Sequence, residues 1–488
     1  MPAQMFQKEK KPSSPDGGHG PPGSIQNRSS VENDDRYTFP QAENNLDEVA
    51  APSPVSDPSE RHTRRHEYLE NVRSRTSGNA PPSEFHGQQS RERGPSLRVE
   101  MSGGLEREES IKATRISEFL TKLYTMSYLI VFAMIGTLTR VVIETLTFYP
   151  GAPVGTSALW ANVAGSFVMG FLSEDRELFR GDSAQVSMTD SETENDALWK
   201  AHEAAHKKTI PLYIGLTTGF CGCLTSFSTF IRDAFLAISN DLPSPLAPYS
   251  ELSLFQSTTT KAPNGGFSFM AVIAVLITEI GLSMAALFFG AHMAIFASSW
   301  LPRIHPRFLQ QFLDPLTAII APLSWIATIC LVILLPQFST AKTLWSPEIW
   351  RGPFLFSLVF GPVGCLVRFY VSLKLNRRIP TFPLGTFTVN VVGTMILGMA
   401  FALQHATIGS SVFGGGSFTG CQVLQGIMDG FCGCLTTVST LVLELSDLKR
   451  QHAYVYGIVS VAAALAMLVV EIGPLRWTRG FTTPACFV

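Results

Sequence analysis

The stretch Gly219-Phe-Cys-Gly-Cys-Leu-Thr-Ser-Phe-Ser-Thr229 returns as Gly430-Phe-Cys-Gly-Cys-Leu-Thr-Thr-Val-Ser-Thr440, with nine of eleven positions identical. Both copies lie inside long apolar sequence. Glycine weakens a helix interior and serine and threonine compete for its backbone hydrogen bonds, so each copy predicts a broken helix. Irregular backbone at membrane depth survives only where protein buries it or where it lines a polar cavity. Two such breaks at matching places in two halves point to a transport site at the repeat interface.

Apolar runs of about the 20 residues that cross a bilayer fall near 122–147, 156–173, 210–238, 267–297, 314–335, 352–373, 384–404, 421–446 and 452–473. They predict an all-α membrane protein of nine transmembrane helices, the third and eighth broken by the motif. Basic residues sort to one side of these runs: the tail before the first, Glu174 to Lys208, Arg303 to Arg307, Lys374 to Arg378, and Lys449-Arg450. The alternate loops, Asn240 to Gly266, Pro336 to Trp350 and His405 to Gly420, hold almost none. Lys and Arg gather in cytoplasmic loops, which predicts a cytosolic N-terminus and an extracellular C-terminus.

Residues 1–118 are rich in Ser, Pro, Gly, Arg, Glu and Asn and poor in aliphatics. Such a segment cannot bury enough apolar surface to offset its ordering entropy, so it reads as a disordered cytosolic tail. Its polar opening, Met1 to Lys11, predicts no signal peptide. The formal net charge of −2 carries no nucleic-acid footprint. The local basic stretches His62 to His66 and Lys112 to Lys122 read as a membrane-side anchor beside the first span. Eight cysteines, mostly inside spans, argue against a secreted disulfide framework.

The chain is internally duplicated. Gly136, Arg140, Asn162, Gly165 and Gly170 recur 228 positions later as Gly364, Arg368, Asn390, Gly393 and Gly398 (364 − 136, 390 − 162). The motifs themselves are 211 apart (430 − 219), because the second half lacks the long charged loop. This divides the chain into a first four-helix repeat at 119–300, a linker with the fifth span at 301–351, a second repeat at 352–475, and a short extracellular tail at 476–488. An odd span between the repeats starts the second copy from the opposite side, so the halves are expected to be antiparallel.

Gly136-Thr-Leu-Thr-Arg140, Gly155 to Ser166 and Gly219 to Phe230, repeated as Gly364 to Arg368, Phe382 to Asn390 and Gly430 to Thr440, resemble the signatures of the Fluc/CrcB fluoride channels. The resemblance covers 125–473 apart from the fifth span, and the two joined four-span halves look like the two-domain eukaryotic form, FEX. It implies a fluoride-selective passive channel, not an enzyme, that exports fluoride across the plasma membrane. It also implies a pseudo-dimer within one chain, hence a monomer in the bilayer. No Gly-x4-Gly-Lys-Ser/Thr motif is present to bind ATP.

A small anion entering a narrow pore needs donors to replace its hydration. Asn162 and Asn390, mid-span in both copies, can offer amide N–H groups, although asparagine also joins membrane helices structurally. Phe227 and Phe230 share a helix face after the first break, and aromatic rings have a positive edge. By resemblance these are the family's pore phenylalanines, with Ser228 and Ser439 as further lining hydroxyls. The second copy departs, holding Val438 and Leu441 at the matching positions. Tyr456 and Ser460, four apart on the last span, resemble the family's polar track, while a loose alignment gives the first half Val275 and Glu279 there. The expectation is one working composite pore, built from Phe227, Phe230, Asn390, Tyr456 and Ser460, beside a degenerate one.

Arg140 and Arg368 are intramembrane charges near span ends, readable as vestibule cations or as snorkelling side chains. Backbone carbonyls at Gly222, Thr225, Gly433 and Thr436, brought together by crossing breaks, would suit a hard cation. The resemblance implies a structural sodium ion there. Cys221, Cys223, Cys432 and Cys434 read as small packing residues rather than a soft-metal site. A proton-coupled secondary transporter of a small anion, using Glu279, is the alternative reading.

Overall fold

The computed structural model describes residues 99–147, 154–175, 177–179, 206–242, 265–334, 351–407 and 414–487, with side chains from residue 119 onward. The disorder expected of residues 1–98 and the long charged loop at 180–205 lie outside the described residues. Among the described residues there are helices and no strands, apart from two isolated bridges near the C-terminus. Eight helices are long and apolar enough to cross a membrane: Phe119–Thr147, Pro211–Ser239, Gly265–Ala297, Pro306–Leu334, Arg351–Arg378, Leu384–His405, Phe418–Asp447 and Arg450–Thr478. The protein is an all-α membrane protein.

The principal helices are α1 (Val99–Thr147), α2 (Leu159–Glu174), α3 (Phe227–Ser239), α4 (Gly265–Ala297), α5 (Asp314–Leu334), α6 (Ser357–Leu375), α7 (Leu384–His405), α8 (Phe418–Gly426), α9 (Ser439–Asp447) and α10 (Arg450–Thr478). Helix α2 stands where the second span is expected, but its 16 residues reach only about 24 Å at 1.5 Å per residue. Helix α1 begins at Val99, so residues 99–118, expected in the disordered tail, are helical. Glu is the commonest residue of that stretch and a good helix former, and it extends a helix already nucleated by the span.

Both broken spans have the same anatomy. In the first, a turn at Pro211–Ile214 widens to a π-helix at Gly215–Cys221, tightens to one turn at Gly222–Leu224, and breaks before α3. In the second, α8 leads into a π-helix at Ile427–Cys432, one turn at Gly433–Leu435, and a break before α9. Thr225 and Thr436 close these single turns with extended backbone, φ −92°, ψ 147° and φ −97°, ψ 157°. Helix α1 supports the first π segment and α6 the second, while α2 packs on α4 and α7 on α10. Helix α5 lies against α1 and α6 and turns Ile319, Leu323, Ile326 and Ile333 outward, a lipid-facing surface for a helix between the halves.

Packing also sets the register of the last span in each half. Gly170 meets the backbone of Leu287, and its counterpart Gly398 meets the side chains of Glu471 and Leu468. Taking Leu468 as the counterpart of Leu287, an offset of 181 (468 − 287), aligns Tyr456 with Val275 and Ser460 with Glu279.

Cys421 and Cys486 form a disulfide, while Cys221, Cys223, Cys330, Cys365, Cys432 and Cys434 are free. Cys421 sits in the first turn of α8, near the start of its span, and the chain end folds back to meet it.

Candidate functional site

The two breaks are built by side chains that take over backbone hydrogen bonds. Asn162 Oδ1 accepts from the Ser226 N–H at 2.8 Å, and Asn390 Oδ1 accepts from the Thr437 N–H at 2.9 Å. Those N–H groups would otherwise reach the Gly222 and Gly433 carbonyls, four residues back. The next pair is diverted likewise: Thr229 N–H donates to Ser226 Oγ at 3.3 Å and Thr440 N–H to Thr437 Oγ1 at 3.4 Å. The carbonyls released from helical bonding are therefore those of Gly222, Thr225, Gly433 and Thr436. A hard monovalent cation suits such a set of neutral oxygen donors, so these residues fit the sodium ion that the resemblance implies.

The halves interlock at the same point. Thr225 Oγ1 accepts from the N–H groups of Val438 and Ser439, both at 3.2 Å, and so caps α9. Thr436 Oγ1 accepts from the Ser228 N–H at 3.0 Å and caps α3. Ser439 Oγ donates to the Cys221 carbonyl at 3.2 Å, and Ser228 Oγ lies 3.0 Å from Thr436 Oγ1. Ser228 and Ser439 thus serve the crossing itself, each bonded to the other half. An oxygen that satisfies orphan first-turn N–H groups stabilises a helix by about 1 kcal/mol.

Arg140 and Arg368 are both buried. Their side chains are 1% and 3% exposed. Arg140 donates to the Cys223 carbonyl at 3.1 Å and to the Asp429 carbonyl, and lies 3.9 Å from Glu144. Arg368 donates to the Thr218 carbonyl at 2.6 Å, with Cys223 Sγ at 3.4 Å. Each guanidinium crosses to the other half and lies against its break glycine, Arg140 on Gly433 and Arg368 on Gly222. The span-end position seen in the sequence hid this, because a long arginine side chain can reach inward as readily as outward.

Two composite faces result. Helix α3 packs against α7 and α10 of the second half, and α9 packs against α2 and α4 of the first. The α3 face brings fully buried Phe227 and Phe230 to the helices that carry Asn390, Tyr456 and Ser460. The two rings meet edge to face, centroids 5.6 Å apart at 81°. Ser460 Oγ is buried without a hydrogen-bond partner, a free hydroxyl in the middle of the span. The Asn390 amide N–H reaches the Thr437 carbonyl at 3.2 Å. Tyr456 donates its hydroxyl to Glu444 Oε2 at 2.6 Å, and Thr386 donates to Glu444 Oε1 at 2.6 Å.

Sequence reasoning missed Glu444. Its signal was an acid inside an apolar span, three residues past Leu441. The α9 face differs throughout: Val438 and Leu441 replace the rings, and the Asn162 amide donates to Glu279 Oε2 at 2.9 Å. A carboxylate therefore occupies the position that Ser460 fills opposite.

Comparison with known proteins accords with this duplicated geometry. The model of the family described as CrcB-like protein, Camphor Resistance (CrcB), matches residues 127–291 and 355–472. Together these make up more than half of the chain. The chain belongs to the CrcB family. The two CrcB stretches exclude α5, and each carries one broken span. Fluoride export protein 1 of Neurospora crassa is 45% identical over 458 residues, covering 89% of this chain and 82% of that protein. Fluoride export protein 1 of Candida albicans is 32% identical over 380 residues, covering 77% and 86% respectively. The bacterial fluoride-specific ion channel FluC of Acinetobacter baylyi is 35% identical over 130 residues, which are 25% of this chain but 92% of that one. One CrcB unit is thus about the size of a whole bacterial relative, and this chain holds two. No solved structure matches the chain significantly.

Proposed function

We propose that this protein is a passive, fluoride-selective anion channel that exports fluoride from the cytosol across the plasma membrane, through one route along the α3–α7–α10 face. The observation that carries the reading is the gathering of Phe227, Phe230, Asn390, Tyr456 and Ser460 on that single composite face. The names of the relatives support fluoride as the ion. Nine spans, with α2 as the short one, would form two inverted four-helix repeats joined by α5, so that one chain supplies the pseudo-dimer and acts as a monomer in the bilayer. The Cys421–Cys486 bridge lies on the face that the Lys and Arg asymmetry assigns to the outside, and disulfides persist in oxidising compartments. This supports an extracellular C-terminus.

The chemistry follows from the donors. A fluoride ion entering from the cytosolic end first competes with Glu444 for the hydroxyls of Tyr456 and Thr386. It then meets the Ser460 hydroxyl and the Asn390 amide, and leaves along the ring edges of Phe227 and Phe230. Apart from Glu444, whose oxygens the entering ion must displace from the two hydroxyls, these groups carry no charge, so binding stays weak enough for release. The carbonyls of Gly222, Thr225, Gly433 and Thr436 would hold a sodium ion, which supplies fixed positive charge beside the route. Around it, Arg140 and Arg368 hold the two breaks in register. The α9 face, with Val438 and Leu441 in place of the rings and the Asn162 amide tied to Glu279, is the silent copy.

Purified protein in liposomes, assayed with a fluoride-selective electrode, tests this directly. Fluoride should leave down its gradient with no dependence on a proton gradient, and chloride should not follow. Equal chloride flux rejects the assignment, and a reversal potential that moves with the proton gradient favours the transporter. Tyr456→Phe, which removes one hydroxyl worth about 1–2 kcal/mol of buried hydrogen bonding, should slow efflux about tenfold. Glu279→Gln should leave the rate unchanged, and an equal loss in both variants would mean that both faces conduct.

A further inference from the structure

The three helices of the proposed route end together, and the chain terminus is folded over that end. Helix α3 stops at Ser239, α7 at His405 and α10 at Thr478. Beyond α10 the backbone reverses at Gly480, whose φ of +76° is open to glycine and strained for other residues. The reversal lays Phe481 against Phe401, ring centroids 5.3 Å apart at 84°. Thr482 then donates its N–H and its hydroxyl to the His405 carbonyl, and Ala485 N–H donates to the Gly414 carbonyl at 3.0 Å. Cys486 closes the segment onto Cys421. Under this cover the ends of α3 and α10 are tied by Arg476, which donates through Nε and Nη2 to both oxygens of Asp241 and stands 5.5 Å over the Phe481 ring.

The ends of the three helices are covered as a result, and Phe235 on α3 and Leu468 and Ile472 on α10, toward that end, are 0% exposed. Arg476 and Asp241 are 7% and 9% exposed, so the pair too is buried by this cover. Here it closes the one end of the route where an outward-moving anion must leave, and Asp241 presents a carboxylate to that anion while cancelling the charge of Arg476. Loosening the segment would release the carboxylate and the guanidinium together.

We propose that residues 479–487 are a lid on the outward end of the fluoride route, latched by Cys421–Cys486 and by Arg476–Asp241, and that opening it speeds fluoride exit. The lid rests on the route proposed above, so unreduced wild-type efflux is measured first: no fluoride flux at all removes both ideas, whereas flux that ignores the latch removes only the lid. Full-length protein in liposomes is then treated from outside with tris(2-carboxyethyl)phosphine. The phosphine attacks one sulfur, the S–S bond breaks, two thiols form with protons from water, and the water oxygen ends on phosphorus as the phosphine oxide. Maleimide labelling counts the thiols released. Efflux should rise by about threefold or more, the scale on which a modest bias between two states changes a population. The Cys421→Ser/Cys486→Ser variant should start fast and ignore the reductant, and Asp241→Asn should be fast with its disulfide intact. Released thiols with an unchanged or slower rate overturn the lid. If the reductant fails to reach the bond, the serine variant decides, and if that variant does not fold, Asp241→Asn decides.

Discussion

Phe227→Ile and Phe230→Ile should each cut fluoride efflux by about tenfold, while Val438→Ala and Leu441→Ala leave it near the wild-type rate. Isoleucine keeps most of the buried apolar volume, and swaps of that kind cost under about 1.5 kcal/mol of stability. What it removes is the polarised ring edge, and it also undoes the edge-to-face packing of the pair, centroids 5.6 Å apart. Ring-geometry interactions of about 0.5–1.5 kcal/mol become about a tenfold change in rate when they act at the barrier, since 1.36 kcal/mol is a factor of ten. Flux should therefore fall far more than melting temperature does. Electrode-monitored efflux alongside thermal unfolding in detergent separates the two quantities. If Phe227→Ile conducts normally while Val438→Ala stops the current, ions take the α9 face and the assignment of the two faces is reversed.

The features that depend on local pattern were legible in the sequence, and those that depend on partners across the fold were not. Apolar runs of near 20 residues locate the eight long spans, with ends that differ by up to eight residues at Pro306, and the glycine and hydroxyl motif locates both breaks. The composite pairing of α3 with α7 and α10 also followed, because it needs only topology and the unequal residues at Phe227 and Val438. The contacts of the arginines were hidden for a physical reason. The carbonyls that Arg140 bonds are 83 and 289 residues away in sequence, and no local pattern announces them. Asn162 and Asn390 were read for their N–H groups, whereas the amide oxygens do the structural part by diverting the Ser226 and Thr437 N–H groups. Cys421 and Cys486 escaped notice because a single bridge has no spacing signature. Glu444 was visible as an intramembrane acid, and its role became readable only once Thr386 and Tyr456 were seen donating to it.

Gly222→Ala and Gly433→Ala should both be strongly destabilising. A Cβ on Gly222 would overlap the Arg368 guanidinium, and one on Gly433 would overlap that of Arg140. Neither guanidinium is a flexible surface tip, since both are buried and bonded to backbone carbonyls of the broken spans. Pushing one aside adds overpacking of about 1–3 kcal/mol to the loss of a buried, hydrogen-bonded charge, itself about 3–5 kcal/mol when a partner is removed. Against a typical stability of about 5–15 kcal/mol, either change should lower the melting temperature markedly and abolish efflux. The proposed cause is a specific collision, so a double-mutant cycle exposes it. Arg368→Leu alone should also destabilise, but Gly222→Ala added to it should cost little more, giving a coupling of about 1–3 kcal/mol, the range for residues in direct contact. Additive losses would mean that the glycine is needed for the backbone of the break itself, and that the crossed arginines do not hold the two halves in register.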